Sequence, residues 1–163
     1  MSGCLGAAGM SQVEARLAAA GHTVPPSPKP AAAYIHWTQH GKLIFTAGQI
    51  PSRDGKPVAT GLVGKDHTLE QAKKVAEVAA LNVIAALKAA AEANGKTLDQ
   101  VRILRTMNFV ASAPGFTDMH LVANGASELF MLAFGTMHAR SAVGAPGLPL
   151  NVPFEVEVVA ELG

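Results

Sequence analysis

The stretch HARSAVGAPGLPLNVPFEVEV (residues 138–158) decides the fold, because it holds two strand-like segments separated by a loop rich in glycine and proline. A lone arginine, Arg140, opens a run of small and apolar residues in the first segment. In the second segment apolar residues alternate with Glu155 and Glu157, so one face of this strand is predicted to be buried and the two carboxylates share the other face. The stretch therefore predicts two strands, each with a charged residue beside apolar neighbours.

Residues upstream of this stretch complete the pattern of an α+β domain. The capping box that pairs Thr68 with Gln71 predicts the start of a long helix with apolar residues at helical spacing, and Gly95 predicts its end. The predicted elements cover residues 33–49 (two strands), 68–93 (helix), 101–111 (strand), 117–132 (helix), 140–145 and 152–160 (strands). This order predicts a single mixed sheet with two helices packed on one face, and the other face then needs a partner subunit as its cover.

The N-terminal residues are expected to form an arm outside the main domain. Residues 1–9 are expected to be disordered, and a capping box of Ser11 and Glu14 predicts a short helix that ends near Ala20. The prolines of the segment VPPSPKP predict an extended linker. The predicted organisation is therefore an arm over 1–30 and one α+β domain over 31–163.

Composition argues against several classes of protein. Only 15% of the 163 residues are charged and 49% are hydrophobic, which favours a surface partly covered by copies of the same chain. The net charge is +1, with 13 basic and 12 acidic residues and no basic stripe, which argues against nucleic acid as a partner. The single cysteine, Cys4, has no cysteine to pair with, and no segment reads as a signal peptide or a membrane span. We expect a cytoplasmic protein with no membrane partner.

No motif in the sequence predicts a metal or a cofactor. The six histidines form no metal-ligand array, and His36 and His40, beside the predicted hairpin turn, are expected to be exposed to solvent. Neither a serine-hydrolase elbow nor a glycine-rich phosphate cradle is present. We therefore predict that the protein uses neither a metal nor a cofactor.

Arg140 and Glu155 are the two candidates for chemistry, and each has two interpretations. Arg140 has small neighbours and no acidic residue near it in sequence, so its guanidinium either clamps a carboxylate ligand or forms a structural ion pair. Glu155 is either a carboxylate held in a cleft or an exposed charge. A hairpin centred after Gly147 would place Arg140 opposite Glu155, but the loop between them is too long and too rich in proline to fix that register.

The C-terminal stretch resembles the reactive-intermediate deaminase family, also called YjgF-like or L-PSP, whose signature is approximately A-R-S-x-V-x-x-x-x-L-P-x-x-x-x-x-E-x-E. Upstream, Tyr34, the segment FTAGQIP (residues 45–51), the long helix and Asn124 follow in the family's order and almost its spacing. The similarity covers about residues 31–162. The extended arm and the segment NGASELF resemble a longer, less typical branch of the family.

The resemblance implies a chorismate-mutase-like α+β fold that assembles as a homotrimer. The three sheets would form an inner barrel, with clefts between subunits. The final strand would then lie inside the sheet, so the resemblance excludes the hairpin register between Arg140 and Glu155, although both residues would still converge on the cleft.

The resemblance also implies an activity, the hydrolytic deamination of small 2-enamine or 2-imine acids, such as 2-aminoacrylate, to 2-keto acids and ammonia without a cofactor. Arg140 would bind the carboxylate of this small metabolite, and Glu155 would position or activate water. Four further cleft positions are implied, two by their side chains and two by their backbone groups: Tyr34 and Asn124, and Gly48 and Ala142.

Three positions depart from the family pattern and bear on the substrate. Ala47 stands where the family has a serine, Ser127 where the typical branch has a bulkier residue, and Ala142 where cysteine is common. Beside the deaminase, three alternatives remain: a trimer that binds a keto acid without turnover, the endoribonuclease named for some family members, and a purely structural trimer. The near-neutral charge argues against the ribonuclease.

Overall fold

The computed structural model describes residues 9–27 and 33–163, and it has one five-stranded sheet beside a separate two-stranded hairpin. The helices and strands are α1 (Gln12–Ala19), β1 (Trp37–His40), β2 (Leu43–Thr46), β3 (Ser52–Arg53), β4 (Lys56–Pro57), α2 (Leu69–Ala93), β5 (Val101–Ala111), α3 (Met119–Phe134), β6 (Ala139–Ala145) and β7 (Phe154–Leu162). This architecture confirms the predicted mixed α+β class. Most of the start predicted to be disordered, including Cys4, and part of the predicted linker lie outside the described residues. Within the described ranges, no helix has both the length and the apolar character that a membrane crossing requires.

Strand β7 lies in the middle of the large sheet, whose order is β1-β2-β7-β5-β6. It runs antiparallel to β2 and β5, whereas the edge strand β6 runs parallel to β5. Arg140 pairs with Thr106 of β5, and Glu155 pairs with Phe109 on the other side of the same strand. Since β5 separates the two residues, the hairpin register between them is absent, as the family resemblance implied.

The two faces of β7 differ as its sequence pattern predicts. Phe154 and Val156 are fully buried beneath the helices, while Glu155 and Glu157 lie on the opposite face. Helices α2 and α3 cover the buried face with a core rich in small residues, among them Ala72, Ala76, Ala79, Ala80, Ala90, Ala91 and Ala126. The removal of this apolar surface from water is the main contribution to the stability of the fold.

The crossing of α2 and α3 depends on Gly125. A Cβ atom at this position would overlap the backbone carbonyl oxygen of Lys73 in α2. Because glycine has no Cβ atom, the two helix backbones approach more closely than any other residue would allow. This close approach fixes the position of α3, which carries several residues of the candidate site.

The arm helix α1 is held against the main domain by polar and apolar contacts. Ser11 and Glu14 form the predicted capping box. The Asp99 carboxylate accepts hydrogen bonds from the first two backbone N–H groups of α1, where a negative charge is favourable. Glu14 also forms an ion pair with Lys88 of α2 at 2.6 Å, and Leu17 is fully buried. The arm helix therefore packs on the helical layer.

The opposite face of the sheet is not covered by any described helix. Phe45 and Val143 remain 39% and 43% exposed on this face. Their ladder partners Val159 and Phe109 lie on the same face, so this face carries apolar side chains on four strands, beside the carboxylates of Glu155 and Glu157. Exposed apolar surfaces of this kind mark interaction sites in soluble proteins. The predicted homotrimer would cover this face, and its arrangement stays a prediction.

Gly125→Ala is expected to lower the free energy of unfolding by about 2 kcal/mol, because the added methyl group forces α2 and α3 apart. The strain therefore outweighs the roughly 1 kcal/mol by which alanine is favoured over glycine within a helix. Urea denaturation followed by circular dichroism measures the difference. Gly147→Ala is the matched control, since a Cβ atom at this position meets nothing within 4 Å. Equal stability of Gly125→Ala and the wild type would contradict a close crossing.

Candidate functional site

The first half of the site surrounds Arg140 at the edge of the sheet. Its Nη1 donates a hydrogen bond to Ser127 Oγ at 3.2 Å, and its Nη2 donates to the backbone oxygen of His120 at 3.0 Å. Both partners belong to α3 and both are neutral. Among the described residues, the recorded ion pairs all involve Lys88, so no carboxylate neutralises Arg140. The structure thus presents a cation held in place by neutral acceptors.

Asn124 lies on the same stripe of α3 as the two residues that hold Arg140. His120, Asn124 and Ser127 are spaced by four and three residues, which places them on one side of a helix. Asn124 is only partly buried. The predicted cleft residue therefore lies on the same side of α3 as the partners of Arg140.

Ala142 contributes backbone groups at the open edge of β6. The carbonyl oxygens of Ser141 and Ala145 point toward β5, where they accept hydrogen bonds from the Asn108 side chain and the Ser112 backbone. Because backbone groups alternate along a strand, the N–H and C=O groups of Ala142 point away from β5. They lie at the unpaired edge, two residues after Arg140.

The second half of the site surrounds Glu155. A Cβ atom at position 48 would overlap the carboxyl group of Glu155, so any other residue at this position would displace this carboxyl group from where it lies. Two backbone hydrogen bonds between Gln49 and Val156, of 2.8 and 3.1 Å, hold the neighbouring residues in register. Gly48 and Glu155 are therefore brought together as the predicted site requires.

Tyr34 joins this second half through His36. The two rings meet edge to face with centroids 5.7 Å apart, and Tyr34 remains 46% exposed. His36 accepts a hydrogen bond from the Ala47 backbone at 2.8 Å, and its Nδ1 lies 3.2 Å from Gln49 Nε2. The prediction that His36 is exposed is wrong, because these contacts leave only 9% of the residue exposed. His40 is exposed as predicted.

The two halves lie on opposite faces of the sheet. Arg140 shares the register of Thr106, which is buried beneath the helices, and it reaches α3. Glu155 shares the register of Phe109, three residues further along β5, and therefore faces the other way. Arg140 and Glu155 do not converge within one chain. The predicted convergence on a single cleft consequently requires residues from two copies.

Burial and neighbouring charge change the pKa of one acidic and one basic group in the site. Partial burial, with a smaller contribution from Glu157, raises the pKa of the Glu155 carboxyl. Burial, with a smaller contribution from the positive charge of Arg140, lowers the pKa of His138. Glu155 is therefore a stronger base than an exposed glutamate once it is ionised, and His138 favours its neutral form.

Ser127 and His138 were not predicted as neighbours of Arg140. His138 lies one residue before β6 and two before Arg140, and in extended chain residues two apart place their side chains on the same face. That spacing is the sequence signal that would have indicated His138. The approach of Ser127 depends on how α3 packs, which the local sequence does not specify. Within the described residues, no three His, Cys, Asp or Glu side chains gather as a metal site.

Comparison with known proteins establishes the family. The family model described as Endoribonuclease L-PSP matches residues 25–162. The chain belongs to this family. Protein TCP17 of Trypanosoma cruzi is 35% identical over 155 residues, which cover 93% of this chain and 94% of TCP17.

Two solved structures share the fold of this chain. The Agrobacterium tumefaciens protein Atu1372, of unknown function, is 40% identical, with a TM-score of 0.84 and coverage of 93% of this chain and 92% of Atu1372. The Escherichia coli YjgF gene product is 26% identical, with a TM-score of 0.57 and coverage of 85% and 93%. The fold is thus shared with YjgF, and the greater similarity to Atu1372 agrees with a longer branch of the family.

Glu155→Gln is expected to stabilise the protein at pH 7 by about 0.5–1 kcal/mol. The effect is small because solvent still reaches the half-buried carboxyl group and screens its charge. The pKa of Glu155 is higher in the folded state than in the unfolded state. The free energy of unfolding of the wild type is therefore greatest at a pH below the pKa of the unfolded state, and it falls as the pH rises through the pKa of the folded state. Glutamine does not titrate, so the difference between the two proteins should shrink toward pH 4. Urea denaturation from pH 4 to 8 measures it, with Glu128→Gln, an exposed residue of α3, as the control. A difference that is constant over this range would contradict a raised pKa.

Proposed function

We propose that the protein hydrolyses small 2-enamine and 2-imine acids, such as 2-aminoacrylate, to 2-keto acids and ammonia, in clefts between the subunits of a homotrimer. The observation that carries this proposal is the un-neutralised guanidinium of Arg140. Two of its five N–H donors bind Ser127 and His120, so three remain for a ligand. A planar carboxylate is the anion that best matches this donor geometry.

A second copy of the chain would complete each cleft. One subunit would supply Asn124, Arg140 and Ala142, and the next would supply Tyr34, Gly48 and Glu155. Two observations support this arrangement: the halves lie on opposite faces of one sheet, and the face that carries Glu155 exposes apolar side chains. A ring of three heterologous contacts would satisfy every half-site.

The reaction follows from the groups in the two halves. Arg140 binds the substrate carboxylate, and the outward carbonyl oxygen of Ala142 accepts the imine N–H. Ionised Glu155 takes a proton from water as the water oxygen attacks C2 of the imine. The C=N π electrons move to the nitrogen, which takes that proton from Glu155 to give a tetrahedral carbinolamine. Glu155 then takes the proton of the new hydroxyl group and passes it to the nitrogen as the C=O bond forms and the C–N bond breaks, so ammonia and the 2-keto acid leave. An enamine substrate first tautomerises to the imine, with a proton moving from its nitrogen to C3. General base catalysis of this kind contributes roughly 10²–10⁴-fold, which suits a carbon that is already electrophilic.

The raised pKa of Glu155 supports its role as the base. A carboxylate whose charge is partly desolvated accepts a proton more readily than an exposed one. The contact with Gly48 supports a fixed position for the carboxyl group. A site that only bound a carboxylate would need Arg140 but not a base on the facing subunit.

Arg140→Ala and Glu155→Gln are expected to lower keto-acid release from enzymatically generated 2-aminoacrylate by roughly 10²-fold or more. Glu155→Gln should still bind 2-oxobutanoate, since Arg140 is intact, whereas Arg140→Ala should not. A coupled spectrophotometric assay and calorimetry measure the two effects. Arg53→Ala, at an exposed position of β3, is the control.

Each of the other outcomes of these assays would favour a different function for this protein. Background rates for the wild type, together with binding of 2-oxobutanoate that requires Arg140, would identify a binding module. Cleavage of RNA by the wild type, abolished in Arg140→Ala, would favour the activity in the family's name. Neither turnover nor binding would leave a structural trimer.

Mixing the two inactive variants tests whether the halves come from different copies. After joint refolding of Arg140→Ala with Glu155→Gln, about a quarter of the wild-type activity should return, because random assembly places an intact Arg140 opposite an intact Glu155 at one cleft in four. The separately refolded variants serve as controls. If the two residues act within one chain, no activity will return.

A further inference from the structure

Ser127 and His138 form a hydrogen-bonded pair beside Arg140 that the proposed reaction does not use. The Nε2 atom of His138 lies 3.0 Å from Ser127 Oγ, which is the oxygen that accepts from Arg140 Nη1 at 3.2 Å. Ser127 is only 7% exposed. The three side chains therefore form a chain of contacts that leads from the partly buried histidine to the guanidinium.

The direction of these hydrogen bonds follows from the donors available. A guanidinium has only donors, so Ser127 Oγ must accept from Arg140. The one hydroxyl proton of Ser127 is then free to point at His138 Nε2, which accepts it if the ring is neutral and carries its proton on Nδ1. In that arrangement the hydroxyl has a fixed orientation, with its proton directed away from the guanidinium.

The surroundings of His138 favour a neutral ring, and the choice of tautomer rests on the hydrogen bond with Ser127 Oγ. Its ring packs edge to face on Phe130 of α3, with centroids 5.9 Å apart. Its Nδ1 is buried with no hydrogen-bond partner among the described residues, so no acceptor in this part of the chain stabilises an imidazolium. Arg140 is the charged group that acts on it and, with burial, lowers its pKa. A second positive charge here would face the first.

We propose that Ser127 and His138 are positioning residues for Arg140: His138 Nε2 accepts the Ser127 proton, so the Ser127 oxygen keeps a lone pair directed at the guanidinium. Together with the backbone oxygen of His120, this oxygen fixes both terminal nitrogens of Arg140. The unused N–H donors are then held in one orientation before any ligand arrives. An arginine fixed in this way loses less side-chain entropy when it binds a carboxylate.

One consequence of this arrangement rests on the proposed function. A bound carboxylate offsets the positive charge of Arg140, which is one cause of the lowered pKa of His138. Binding should therefore raise the pKa of His138. This rise follows from the proximity of His138 to Arg140, so it reports on where the carboxylate binds.

The arrangement itself is tested on the wild-type protein without ligand. Long-range ¹H–¹⁵N spectra distinguish the two neutral histidine tautomers, and the signal of His138 is the one that disappears in His138→Gln. We expect the tautomer with the proton on Nδ1, and a shift toward the other tautomer in Ser127→Ala. A proton on Nε2 in the wild type would overturn the proposal.

The effect on the ligand is tested with 2-oxobutanoate by calorimetry. Ser127→Ala should weaken binding roughly tenfold, the size expected for the loss of a hydrogen bond to a charged group. His138→Gln and His138→Asn form a matched pair, since both lose the ring. The glutamine places an acceptor near the position of Nε2, whereas the asparagine places one near Nδ1. We expect His138→Gln to bind within about twofold of the wild type, and His138→Asn to bind as weakly as Ser127→Ala.

The outcomes separate this proposal from the proposed function. Unchanged affinity in Ser127→Ala, or equal losses in the two His138 variants, would overturn the positioning role, and thermal melting identifies any variant that fails to fold. A ligand-induced rise in the pKa of His138, followed in the same spectra, supports binding of the carboxylate at Arg140, which belongs to the proposed function. If the wild type binds no 2-oxobutanoate, the proposed function fails, while the tautomer in the ligand-free protein still decides the hydrogen-bond arrangement.

Discussion

The antiparallel pairing of β7 with β2 on one side and β5 on the other is the constraint on which the rest of the structure depends. It leaves β6 at the edge of the sheet, where the backbone groups around Arg140 have no strand partner. It also seats Val156 against Gln49, which brings Glu155 over Gly48. Pairing of β7 with β6 as a simple hairpin would bury the edge and separate Glu155 from Gly48. One choice of strand order thus creates both halves of the site.

Local signals predicted most of the fold because each has a local physical cause. The capping boxes at Ser11 and Thr68 satisfy N–H groups within a few residues of the cap, and both are present. The alternation in β7 matches its buried face. Helix α3 was predicted over 117–132 and spans Met119–Phe134, because its end is set by Gly135 in a left-handed conformation while Asp118 makes no side-chain cap. The start of α3 therefore differs from the predicted start at the end of the helix that has no side-chain cap.

The candidate site was less predictable, because its contacts join distant parts of the chain. His36 was expected to be exposed from its place beside a turn, yet Gln49 buries it from the next segment. The face on which each residue lies follows from strand register, so the opposite orientation of Arg140 and Glu155 became clear only when the ladders on both sides of β5 were known. Motif similarity supplied the candidate residues but not the faces of the sheet on which they lie.

The unpaired edge of β6 can promote aggregation, which assembly with other subunits would prevent. Its residues, ARSAVGA, are small, include a single charge and contain neither lysine nor proline, the residues that commonly protect an exposed strand edge. Such an edge is a template onto which a strand from another molecule can add. A subunit outside the proposed trimer would therefore expose this edge, and it would aggregate faster as the concentration of free subunits rises, because strand addition joins two molecules. The same geometry that leaves a backbone carbonyl available for chemistry makes the isolated chain vulnerable.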